Sequence, residues 1–138
     1  MTDEQWKSIK YFSPRENWGD PKKVSYTLVK LLDDLRSYIG HPIYVLCGTQ
    51  GKHTKHSYHY VGKAADVYCD EIDLLDFYLA SERFSFGGIG VYPNWAHPGL
   101  HLDVRRTKVG ARWGFDGKRY VPLDKRFIIE YFCPGGWV

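Results

Sequence analysis

The feature that most constrains this chain is one apolar stripe. Val24, Leu28, Leu31, Leu32, Leu35 and Ile39 recur at three- and four-residue steps, the period of a single helix face. Asp20-Pro21 predicts the helix start, a capping side chain followed by proline at the first helical position. Gly40 predicts its end, with Pro42 just beyond. A stripe of that length must be buried, and the rest of the chain offers mainly short strands to bury it against. Ile43 to Cys47, Ala64 to Cys69, Gly87 to Tyr92 and Leu100 to Arg105 read as four strands, the glycines of the third marking a bulge or a close backbone approach. Asp70 predicts the cap of a second helix whose Leu74, Leu75, Tyr78 and Leu79 face inward. Trp113 to Tyr120 reads as a hairpin around Asp116-Gly117. Asp124 predicts the cap of a last helix carrying Phe127, Ile128 and Tyr131, stopped by Pro134-Gly135-Gly136. Residues 1–19 read as an irregular lead-in that brings Trp6, Tyr11, Phe12 and Trp18 to a surface or core edge. Helices and strands are interleaved, and the tight links after residue 87 favour antiparallel pairing, so the expected class is α+β. With 138 residues and no repeat or linker, one domain spanning 1–138 is expected.

Composition narrows the function classes. A net charge of +3 with scattered basic residues falls short of a nucleic-acid footprint, and Arg105-Arg106 is too short to make a patch. No nucleic-acid partner is expected. No apolar run approaches the length of a membrane span, and the N-terminus lacks the apolar core of a signal peptide. A soluble monomer, cytoplasmic at synthesis, is expected. Cys47, Cys69 and Cys133 are an odd number without CxxC spacing, which predicts free thiols rather than a disulfide framework. The eleven tyrosines and five tryptophans suit either core filling or a wet cleft for glycan or peptide.

Five of the six histidines lie between residues 53 and 101. Zinc takes imidazole and carboxylate ligands, and a catalytic site uses three of them plus a water. His59, Asp66 and the distant His101 could form such a set. Asp66 sits in a strand, where a carboxylate is costly to bury unless paired or metal-bound; taken alone, it could equally lie on a wet sheet face. In Leu100-His101-Leu102-Asp103-Val104-Arg105, alternation puts His101, Asp103 and Arg105 on one face. That face is either solvated or presents a metal ligand with an orienting carboxylate.

The combination resembles a known pattern. Ser57-Tyr58-His59-Tyr60-Val61-Gly62-Lys63-Ala64-Ala65-Asp66 is similar to the S-x-H-x-x-G-x-A-x-D signature of the zinc D-alanyl-D-alanine carboxypeptidases, peptidase family M15. Gly87-Gly88-Ile89-Gly90-Val91-Tyr92-Pro93 and His101-Leu102-Asp103-Val104-Arg105 resemble the branch with G-G-I-G-x-Y-P and H-x-D-x-R strands. The likeness runs from Tyr11 to Trp113. It implies a small antiparallel sheet with flanking helices, as in hedgehog-type zinc proteins. It implies Zn²⁺ on His59, Asp66 and His101, and peptidoglycan stem peptides as substrate, cleaved by a D,D-carboxypeptidase or an endopeptidase acting at the cell wall. A phage lysin or a domain of a larger exported protein would fit.

Two departures shape the expectations. The family's acid three residues before the last ligand is here Pro98, which leaves His97 as the expected base and Asp103 as support from the strand face. The family's arginine in S-G-Y-R is here Gln50, in Cys47-Gly48-Thr49-Gln50, so Gln50, Ser57 and Arg105 are the expected substrate contacts, with Lys52, Lys55 or His56 able to supply the missing charge. The cysteines are expected not to be ligands. The alternative reading is a zinc-containing wall-binding module that has lost catalysis.

Overall fold

The computed structural model describes residues 1–132. Its elements are α1 (Asp3–Lys7), α2 (Tyr26–Ile39), β1 (Tyr44–Cys47), β2 (Ala64–Tyr68), α3 (Leu74–Ser81), β3 (Gly88–Tyr92), β4 (Gly99–Asp103), β5 (Ala111–Phe115), β6 (Tyr120–Pro122) and α4 (Lys125–Phe132). The six strands form one sheet in the order β1-β2-β4-β3-β5-β6, and the class is α+β. Every neighbouring pair is antiparallel except β3 and β5, which run parallel. The expectation of antiparallel pairing thus fails at one position. β4 already holds β2 on its outer edge, so β5 can add only at the free edge of β3, and it arrives there in the direction of β3.

Strand alternation divides the sheet into two faces. Ala65, Val67, Ile89, Val91, Leu100 and Leu102 point one way and are fully buried, joined by Leu28, Val29, Leu32 and Leu35 of α2 and by Phe77 of α3. Burying each large aliphatic side chain contributes about 1.5–3 kcal/mol. α4 adds Phe127, whose ring occupies the space a side chain at Gly114 would need. The other face carries the polar residues of β2 and β4.

Several local expectations are corrected. The long helix begins at Tyr26, not after Asp20: Ser25 caps it by accepting from Leu28 N at 3.3 Å. Asp20 instead closes a turn, its carboxylate accepting from Lys22 N at 3.0 Å. The lead-in is not wholly irregular, because Thr2 and Gln5 form a capping box that starts α1, and Trp18 is a fully buried core residue. α3 is preceded by Asp73 rather than Asp70, and its buried face is Phe77, Ala80 and Ser81, while Leu79 is exposed. The hairpin is as expected, with Gly117 at φ 100°, and Asp124 accepts from Phe127 N at the start of α4. The expected stop at Pro134-Gly135-Gly136 and Cys133 lie outside the described residues.

Candidate metal centre

Sheet register assembles the centre. Asp66 on β2 pairs directly with His101 on β4, His101 with Gly90 on β3, and Gly90 with Trp113 on β5. The four positions make one row across the polar face. Gly90 is required there, since the Trp113 indole fills the place of a Cβ; Gly88, one repeat along, likewise makes room for the Asp103 carboxylate. These are the close approaches that the third strand's glycines signal. His59 comes from the loop between β1 and β2 and hangs over the row, buried.

Three donor atoms converge. His59 Nε2 lies 3.2 Å from His101 Nδ1 and 3.2 Å from Asp66 Oδ1, and the last two are 3.3 Å apart. Metal bonds of about 2.0–2.1 Å at tetrahedral angles separate ligand atoms by roughly 3.3–3.4 Å, so this triangle has the dimensions of one face of such a tetrahedron. The outer contacts set its protonation. His59 Nδ1 donates to the Gly48 carbonyl at 2.8 Å, and His101 Nε2 donates to Asp103 Oδ2 at 2.7 Å. In the neutral tautomers, all three atoms of the triangle then carry lone pairs and none carries a hydrogen. Only a cation, a proton or a metal ion, relieves three facing acceptors. The donor set, two imidazoles and one carboxylate, is zinc chemistry.

Without a metal, a proton takes that place on the imidazoles. Burial alone would raise the Asp66 carboxyl, but hydrogen bonds from His101 and His59 outweigh it and hold the group at about 2. Burial also pushes Asp103 up, and again loses: His101 and Arg105 hold its carboxyl well below the usual carboxylate range. Burial would lower His101, yet its bonds to Asp103 and Asp66 leave it raised. Asp103 is fully buried and would be very costly as a lone charge. Arg105 offsets that cost, donating from Nε at 2.9 and 3.0 Å and from Nη2 at 2.6 Å. The guanidinium itself lies over the rings of Tyr58 and Trp113, at 4.7 and 5.2 Å.

A second group, Cys47, His53 and His59, also has donor atoms within 4.8 Å of one another, but its chemistry differs. The Cys47 thiol and His53 Nε2 lie 2.9 and 2.8 Å from the Gln50 carbonyl oxygen, so each carries a hydrogen and donates it there. The His53 and His59 rings stack 3.9 Å apart and within 8° of parallel; in-plane lone pairs of parallel rings do not meet at one ion. Burial pushes the Cys47 thiol up to about 11, with Asp66 adding to it, and so disfavours the thiolate a metal would need. Cys69 is buried in the core on the face away from Asp66.

Two hollows meet at the triangle, sharing Asp66 and Trp95. The larger, ≈ 650 Å³, is lined by His59, His101, Ser57 and Arg105, with Lys52 and His56 on the loop side. The smaller, ≈ 320 Å³, holds His97 with Leu46 and Ala96. His97 stacks on Tyr68 at 4.3 Å, and its Nδ1 is 3.4 Å from Asp70 Oδ1. Gln50 lines neither; its amide ties the loop together, accepting from Gly48 N and donating to Asn17. Sequence reasoning did not anticipate the Gly48 carbonyl, the His53 stack or the Tyr92, Trp95 and Trp113 wall. Only the glycines of β3 hinted at the last.

Residues 27–109, more than half of the chain, match a family model, Peptidase_M15_2, described as peptidoglycan L,D-endopeptidase MepK. No curated protein matches the chain. The matched span contains every member of the triangle together with Asp103 and Arg105.

Proposed function

This chain belongs to the M15 family of zinc peptidases, and we propose that it is an endopeptidase cutting peptidoglycan stem peptides, with residues 1–138 acting as one catalytic unit. The observation that carries the metal assignment is the convergence of His59 Nε2, His101 Nδ1 and Asp66 Oδ1 at 3.2–3.3 Å from one another, with the other nitrogen of each imidazole engaged elsewhere. His59, Asp66 and His101 would hold the zinc. Bound zinc supplies a Lewis acid for the scissile carbonyl and lowers the pKa of water.

The chain's own residues do the rest. Asp103 and the Gly48 carbonyl fix the tautomers of His101 and His59, so each presents a lone pair inward. His97 is the proton acceptor: Asp70 faces its Nδ1, which leaves Nε2 to take a proton from water and return it to the leaving amine. Arg105 commits Nε and Nη2 to Asp103, and its Nη1 with the Ser57 hydroxyl is offered to a substrate carboxylate or carbonyl.

Endo rather than carboxypeptidase action is supported by two features. Two hollows share Asp66 and Trp95, and a chain extended through both would have room before and after the scissile bond. Gln50 carries no charge and is occupied within its loop, so the usual anchor for a free C-terminus is absent. The test is digestion of purified peptidoglycan with mass analysis of the fragments. Release of internal stem fragments by wild type, lost in His59→Ala and Asp66→Ala, is expected. Removal of a single terminal residue would reassign it as a carboxypeptidase, and binding without cleavage would favour the wall-binding module that Pro98 allows.

A further inference from the structure

The larger hollow has two unlike walls. Lys52 lines it from the loop side; Tyr92, Trp95, Trp113 and Tyr120 contribute rings, with the Arg105 guanidinium reaching only the inner end, over Trp113 at 5.2 Å. The rings are organised. Tyr92 stacks on Trp95 at 4.3 Å and 14°, and its hydroxyl accepts from Trp113 Nε1 at 3.0 Å. Trp113 lies 5.1 Å from His101, so the wall begins at the candidate metal centre. It runs outward over Phe115, 5.5 Å from Tyr92 and 5.3 Å from Tyr120, which is 61% exposed. Core filling accounts for none of this, since Tyr120 is exposed and Tyr92 and Trp95 are only half-buried. Apolar surface left open beside a site marks a ligand.

Resting on the peptidase reading above, we propose that this wall is a saccharide subsite that seats a neutral N-acetylated pyranose of the glycan strand while the attached peptide reaches the triangle. Flat aromatic faces match the C–H face of a pyranose, and the polar edges of indole and phenol match its hydroxyl and acetamido groups. The outer rings Tyr92, Trp95 and Tyr120 carry no charge and suit the neutral sugar, while Arg105, over Trp113 at the inner end, and Lys52 suit the carboxylate-bearing peptide. Because the wall starts at His101, the bond cut lies close to the glycan attachment point. Tyr120, at the outer end of the wall, lies beyond the residues matched by the family model.

The probe is a peptide-free tetrasaccharide of N-acetylglucosamine, titrated into zinc-loaded protein and followed by tryptophan fluorescence and calorimetry. Saturable binding is expected, weakened about tenfold or more by Trp95→Ala and by Tyr120→Ala. Tyr120 is exposed, so its variant tests the wall without threatening the fold. In parallel, each variant is assayed on intact peptidoglycan and on stem peptide freed from glycan. The loss on the glycan-linked substrate should exceed the loss on free peptide severalfold. Absence of saturable sugar binding by wild type, or equal losses on the two substrates, overturns the subsite. Sugar binding by a protein that cleaves neither substrate supports the subsite and instead sinks the peptidase reading.

Discussion

Asp103→Asn isolates the contribution of one buried carboxylate to the metal centre. In the native chain, Asp103 Oδ2 accepts from His101 Nε2 at 2.7 Å, and both oxygens accept from Arg105. Asparagine has one oxygen, and Arg105, with its multiple donors, claims it. The new NH₂ then faces His101 Nε2, which must accept, so the imidazole proton moves to Nδ1 and points at Asp66 Oδ1 within 3.3 Å. Zinc must displace that proton. Loss of such an orienting partner costs about 10–100-fold in metal affinity, roughly 1.4–2.7 kcal/mol. The fold is weakened separately. Breaking a buried ion pair costs about 3–5 kcal/mol and an exposed one about 0–1; Asp103 is fully buried and the Arg105 side chain 21% exposed, so about 1–3 kcal/mol is expected. Competition against a fluorescent chelator measures the first quantity, and urea unfolding of the metal-free protein measures the second. A zinc affinity within twofold of wild type would refute the tautomer argument, whatever the stability change.

Other outcomes follow from the same geometry. Wild type should hold one zinc per chain by elemental analysis, and His59→Ala or Asp66→Ala should each abolish it, because two remaining ligands rarely retain zinc; full retention in either variant contradicts the assignment. His97→Ala should lower turnover by about a hundredfold or more with zinc still bound, and full activity would place the base elsewhere. The cobalt-substituted protein should show no thiolate charge-transfer band, since Cys47 donates its hydrogen to Gln50; such a band would bring Cys47 into the centre. Stability should depend on pH in a definite way. Asp66, held at about 2, and Asp103, held low, contribute fully above the ordinary carboxylate range near 4 and lose that contribution as pH falls through their folded values. His101, raised, contributes below about 6.5 and loses its contribution as pH rises through its folded value. The metal-free protein should therefore melt highest between about pH 4 and 6.5, while the extra stabilisation by zinc should grow as pH rises past the raised His101 value. A zinc effect that shrinks with rising pH there would contradict the ligand role of His101.

What could be read from the residues in order was what is local. The stripe from Leu28 to Ile39, the alternation of Leu100 to Asp103, the Asp116-Gly117 turn and the cap at Asp124 depend on spacing and turn chemistry, which neighbouring residues determine. Even there, the boundaries moved, since Ser25 rather than Asp20 satisfies the first free N–H groups of the long helix. The histidines and Asp66 could be grouped from spacing and family likeness, but not their convergence. That depends on register: Asp66 meets His101 because β2 pairs with β4, and β4 separates β2 from β3 in the sheet. The aromatic wall was equally hidden. Tyr92, Trp95, Trp113 and Tyr120 come from three strands and a turn, and they line up only because β5 joins the free edge of β3 in parallel. Residue types and their periods determined which side chains could bind a metal or a ring. Strand order decided which of them share a face, because pairing partners are chosen by burial of the whole sheet and not by the residues that lie between them in the chain.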